Sequence, residues 1–156
     1  MRTKIIDVSM RGLQRDGLRF SVDTIASELK ISKKTVYKYF PSKEDLAVAV
    51  YEKFYAETAQ EFDACATVEK GGRFSELLDL YYRSWCMVRA DVFNKYALNN
   101  ALREFAETKH NEIRRKFITA ISPADEAAVF IIDGAIEKSN GKPLTRAIVQ
   151  KLELLI

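Results

Sequence analysis

Ile31-Ser32-Lys33-Lys34-Thr35-Val36-Tyr37-Lys38-Tyr39-Phe40-Pro41-Ser42-Lys43-Glu44-Asp45-Leu46 is the stretch that decides how this 156-residue chain is read. Ser32 is placed to cap a short helix, its hydroxyl accepting one of the first free backbone N–H groups, and Pro41 stops that helix a residue or two before it. Over the resulting two turns Val36 and Phe40 lie four apart and form an inward face. Lys33, Lys34, Thr35, Tyr37 and Lys38 cover most of the remaining surface. The pattern predicts a short basic rod held by two apolar anchors.

Working outward, Ser21-Val22-Asp23-Thr24-Ile25-Ala26-Ser27-Glu28-Leu29-Lys30 predicts a preceding short helix capped by Ser21, with Ile25 and Leu29 on one face. Two short helices, a tight turn around Lys30 and Ile31, and a basic second helix make a helix-turn-helix. Lysines release condensed counterions from phosphates, a tyrosine hydroxyl donates to a phosphate oxygen, and residues at the start of the helix reach base edges. Lys33, Lys34 and Thr35, following Ser32, are therefore expected nearest the bases, with Tyr37, Lys38, Tyr39 and Lys43 on phosphates. Residues 1 to 43 hold ten Lys or Arg against four Asp or Glu, a surplus of six in a chain whose net charge is only +3. The positive charge is concentrated where a nucleic-acid surface is expected.

Ile25-Ala26, then Leu29-x-Ile31-Ser32, then Thr35-Val36-Tyr37-Lys38-Tyr39-Phe40-x-Ser42-Lys43-Glu44-x-Leu46 resembles the TetR family of bacterial transcription regulators over roughly the first third of the chain. Where that family usually has glycine in the turn this chain has Lys30, which is expected to adopt a left-handed conformation at a cost on the order of 1 kcal/mol. The resemblance implies an all-α homodimer that binds a palindromic operator, acts as a repressor and is released by a small effector.

Around this core, residues 2 to 16 carry Ile5, Ile6, Met10 and Leu13 at helical spacing with Gly17 as a stop, completing a three-helix head. Ser42, with Asp45 three residues on, opens a fourth helix expected to run to about Asp63. The division expected is a DNA-binding domain over 1–45 and a helical body over 46–156, joined by the helix over 42–63. Gly71-Gly72 is a corner, and Phe74, Leu77, Leu78, Tyr81, Trp85 and Val88 form the stripe of a body helix. A helix capped by Asp91, with Phe93, Ala97, Leu98, Ala101, Leu102 and Phe105, is expected to bend or break near 107–111 before Ile113, Phe117 and Ile121. Ser122-Pro123 is a stop and a start, Asn140-Gly141 another stop, and a last helix is expected from Leu144.

The two terminal helices carry more apolar surface than one core stripe needs, and Ala128, Ile131, Ala135, Ile148, Leu152 and Leu155 are candidates for a dimer interface built as a four-helix bundle. The alternative is burial within one larger core. Tyr81, Trp85, Phe105 and Phe117 are candidates for a pocket taking a small apolar or aromatic effector, as the resemblance implies. Read from residues alone, aromatics at this spacing favour plain core.

No chemistry of catalysis stands out. His110, the only histidine, lies in a polar run and is expected on a solvated surface, and Cys65 and Cys86 have neither metal nor disulfide spacing. No cofactor, metal site or catalytic residue is expected, and no apolar run of membrane-spanning length is present, which places the chain in the cytoplasm. An effector-independent or protein-switched regulator, and an all-α enzyme with a coincidental helix-turn-helix, are the competing readings.

Overall fold

The computed structural model describes residues 1–16, 20–66, 73–89, 100–121 and 126–156. Among these are eight helices and no strand: α1 Arg2–Asp16, α2 Val22–Glu28, α3 Lys33–Tyr39, α4 Lys43–Ala66, α5 Phe74–Val88, α6 Asn100–Ile121, α7 Glu126–Lys138 and α8 Arg146–Glu153. The expected stop at Gly17, the Gly71-Gly72 corner, the helix start at Asp91 with Phe93, Ala97 and Leu98, and the Ser122-Pro123 junction lie outside the described residues. The chain forms two compact units, Met1–Glu57 with Met87–Thr108, and Thr58–Cys86 with Lys109–Ile156.

In the first unit the head is assembled by local chemistry. α1 buries Ile5, Ile6, Val8 and Leu13, and Ser9, also buried on that face, satisfies its hydroxyl by donating to the Ile5 carbonyl at 2.7 Å. Ser21 caps α2 by accepting from the Asp23 N–H, as expected. α2 then closes through two crossed bonds, Ile31 N–H to the Ala26 carbonyl at 2.9 Å and Lys30 N–H to the Ser27 carbonyl at 3.1 Å. This is a Schellman ending, and it requires a left-handed residue at Lys30, whose φ is 53°. α2 packs on both α1 and α3.

α4 opens with a reciprocal capping box. The Asp45 N–H donates to Ser42 Oγ at 3.0 Å, and the Ser42 N–H and hydroxyl both donate to Asp45 Oδ2, at 3.0 and 2.7 Å. Leu46, Val50 and Phe54 on this helix are buried, and the buried Tyr51 donates its hydroxyl to the Met87 carbonyl at 2.9 Å. The helix runs to Ala66, three residues past the expected end at Asp63.

Two expectations for the second half fail. α6 is continuous through 107–111 instead of breaking there. Its buried positions are Leu102, Ala106, His110, Ile113, Phe117 and Ile121, spaced by threes and fours without interruption. Polar residues filled the outer face over that interval, and the inward position was a histidine. The last helix begins at Arg146, two residues later than expected, because Thr145 caps it by accepting from the Ile148 N–H. Asn140 and Gly141 end α7 with φ of 50° and 78°, as their identities suggest.

Candidate nucleic-acid interface

α3 is placed by its two ends and one inward face. Ser32 Oγ accepts from the Thr35 N–H at 3.1 Å and lies 2.9 Å from Thr35 Oγ1, and the helix begins there. The Phe40 N–H donates to the Val36 carbonyl, and Pro41 follows. Val36 is 1% exposed and Phe40 2%, while Ser32, Lys33, Lys34, Tyr37, Lys38 and Tyr39 are exposed and Thr35 is half-buried. A seven-residue helix is too short to persist alone, so these two anchors and the capping bonds hold it.

The outward groups form one basic and hydroxyl-bearing surface. Ser32, Lys34, Thr35, Tyr37 and Lys38 line a shallow open concavity. Lys34 and Lys38 make no ion pair among the described residues, which leaves their charges for an anionic partner. Lys33 differs, because its Nζ sits 2.5 Å from Asp23 Oδ1 in the first turn of α2. Lys43 is half-buried, with Nζ 4.8 Å from the centroid of the Phe20 ring, and burial lowers its pKa below the usual lysine value. The Arg2 guanidinium lies 5.0 Å from the Phe40 ring centroid, bringing a further cation to the end of α3.

Neither Arg2 nor Asp23 was singled out in the sequence. Arg2 lies 38 positions from Phe40 and Asp23 ten from Lys33, and only the folded head joins them. Seven of the eight residues expected at the interface lie on α3 or at its N-cap Ser32, and Lys43 sits beyond the proline as the first residue of α4.

The residues considered for an effector pocket are placed differently. In the second unit Tyr81 is 3% exposed and Phe117 1%, with rings stacked at 4.8 Å between centroids. His110 stacks on Tyr81 at 5.4 Å between centroids and is buried, contrary to the solvated position expected for it. Its Nδ1 is 2.9 Å from Ser84 Oγ, and burial pushes its pKa down to about 4. Tyr81 donates its hydroxyl to Asp133 Oδ1 at 2.7 Å, and Arg114 donates to Asp133 Oδ2 at 2.7 Å through Nη2. Burial, with the Asp133 carboxylate, raises the Tyr81 pKa, and the hydrogen bond to Asp133 raises that of Arg114. Trp85 and Phe105 are half-buried, and Phe105 belongs to the first unit.

Of the residues considered for a dimer interface, Ala128 and Leu152 are buried within the chain, Ala135 and Leu155 are half-buried, and Ile131 and Ile148 are 49% and 40% exposed. Among the described residues there is no cluster of potential metal ligands and no helix long and apolar enough to cross a membrane.

Residues 5–50, the span that holds most of α1, all of α2 and α3 and the start of α4, match the family model of the bacterial regulatory proteins, tetR family. Over 124 residues the chain is 27% identical to YvaF, an uncharacterized HTH-type transcriptional regulator of Bacillus subtilis, which covers 65% of each chain. Over 57 residues it is 37% identical to an uncharacterized HTH-type transcriptional regulator of Mycobacterium tuberculosis, covering 36% of this chain and 24% of that one. The chain thus matches less than two thirds of the length of these relatives. A transcriptional regulator (TerR/AcrR family) from Aquifex aeolicus shares the fold with a TM-score of 0.66 at 20% identity, over 98% of this chain and 95% of that one. A TetR/AcrR-family regulator from Thermobifida fusca does so with a TM-score of 0.58 at 20% identity, over 99% and 94%.

Proposed function

We propose, from the premise that the chain belongs to the tetR family of bacterial regulatory proteins through its head, that it is a DNA-binding transcriptional regulator, a repressor acting as a homodimer on a palindromic operator in the cytoplasm. The observation that carries this reading is the helix-turn-helix itself: a Schellman turn with Lys30 at φ 53° presents α3 with its apolar anchors inward and its lysines and tyrosines outward. Two such helices enter successive major grooves about 34 Å apart, or a multiple of that. Lys33, Lys34 and Thr35 approach the bases, and Tyr37, Lys38, Tyr39 and Lys43 hold the backbone. Nothing in this arrangement calls for catalysis.

The dimer reading is supported by the apolar side chains left on and after the terminal helices, with Phe130 79% exposed and Leu154 84% exposed beside Ile131 and Ile148. Pairing these helices with those of a second subunit removes that surface from water. Ala128, Ala135, Leu152 and Leu155 then support the face from within each subunit.

Whether an effector releases the DNA divides two readings. Release by a small apolar or aromatic molecule against Tyr81, Trp85 and Phe117 of the second unit is what the family resemblance suggests. A regulator without effector, or one switched by a protein, is favoured by the filled stack of His110, Tyr81 and Phe117. A specific rise in melting temperature with one compound of a metabolite library supports the first.

Selection of bound duplexes from a random pool tests the function. The expected result is a twofold-related pair of half-sites whose centres lie about 10 base pairs or a multiple apart. A chain that remains a single subunit in solution scattering and enriches no duplex overturns it.

A further inference from the structure

Asp23 places a carboxylate beside the surface that is read here as facing DNA. It lies in the first turn of α2, and in a helix-turn-helix the first helix crosses the phosphate backbone. A negative side chain there opposes binding to every duplex. Its position has a structural benefit, since an acidic group near a helix N-terminus is favoured by the helix dipole. That benefit needs no partner, yet Asp23 Oδ1 holds Lys33 Nζ at 2.5 Å, across the turn from α2 to α3. Lys34 and Lys38, on the same short helix, have no such counter-ion among the described residues. One lysine of the rod is thus singled out, and it is the first residue of α3, the position from which a side chain reaches base edges.

Charge and direction have different consequences at such a surface. A lysine free to swing takes a phosphate and strengthens binding to all sequences, releasing counterions as it does so. A lysine whose charge is partly neutralised by a neighbouring carboxylate gains less from a phosphate, while its remaining N–H donors stay available to a base acceptor. Resting on the DNA-binding reading above, we propose that Asp23 is a specificity-determining residue: its ion pair with Lys33 withholds that lysine from the phosphates and directs it to a base edge.

The test uses the full chain, Asp23→Asn, Lys33→Gln and the double variant, each bound to a selected duplex and to a random-sequence duplex across a salt series. Asp23→Asn keeps the size of the side chain and its exposed setting, and melting curves of the three variants check that the head is intact. Asp23→Asn is expected to raise affinity for the random duplex about two- to fivefold, the scale of an exposed ion pair. The log–log salt slope should steepen by up to about 0.9. The ratio of selected to random affinity should fall. On the Lys33→Gln background the same substitution should leave that ratio unchanged. An unchanged ratio for Asp23→Asn, or an equal change with Lys33 already replaced, overturns the proposal and leaves the DNA-binding reading standing. A wild-type chain that enriches no duplex removes both.

Discussion

In α3 one side chain of seven is buried and the polar ones meet water, whereas in the buried stripe of α6 a histidine occupies a position that leucine or alanine fills one turn or two earlier. Both helices carry polar groups on a scaffold of apolar anchors. On α3 those groups face outward, so each can meet a partner from solution. Around His110 they face one another: Ser84 against the imidazole, Tyr81 and Arg114 against Asp133. The first arrangement suits recognition and the second makes a core specific, because a buried polar group costs stability unless its partner is in place.

The sharpest way to break this contrast is to remove the ring that the second arrangement packs upon. Phe117→Ala deletes a fully buried ring stacked on Tyr81 and is expected to lower unfolding free energy by about 3–5 kcal/mol in denaturant titrations. A loss below about 1 kcal/mol would mean that the stack is no core at all.

Acid tests the same cluster. The unfolded histidine takes up its proton near pH 6.5, while the buried ring in the folded chain resists until about 4. The unfolded state therefore binds more protons across that window, and stability falls as the pH drops through it, by on the order of 3 kcal/mol in all. Above pH 6.5 the contribution is complete. His110→Gln should flatten the fall between pH 6.5 and 5, where few carboxylates titrate, and an unchanged slope would place the ring in water.

The acid measurement concerns a side chain whose burial the chain's residues did not announce, and the reason is physical. Ser21, Ser32, Ser42 and Asp45 act on backbone groups two or three positions away, so the starts of α2, α3 and α4 could be placed from the residues alone. The same holds for Lys30, since a turn of that length demands positive φ whatever occupies it. His110 depends on Ser84 and Tyr81, 26 and 29 positions away, and on a stripe whose period continues through a polar interval. Its register with Ala106 and Ile113 was the available signal. At the interface, likewise, the surface of α3 was legible, and the Asp23 ion pair was set by the angle between two helices.

On the outward side the expected effects are smaller. Lys34→Ala should alter preference between operator sequences by about 1–3 kcal/mol, read as relative affinities for selected sites. Lys43→Ala should weaken binding to all duplexes alike and flatten the log–log salt slope by about 0.9. An exchange of these two outcomes would reverse the roles assigned. Lys30→Gly should raise stability by about 1 kcal/mol by relieving the left-handed lysine, and a lower melting temperature would show that its side chain contributes more than its backbone costs.

Because Val36 and Phe40 supply the buried anchors of α3, most of its outward positions are free to vary without disturbing the head that carries them. Descendants of such a chain can acquire new target sites by a few outward replacements. A laboratory library confined to those positions should yield folded proteins at high frequency, which makes this short rod a natural place to begin retargeting.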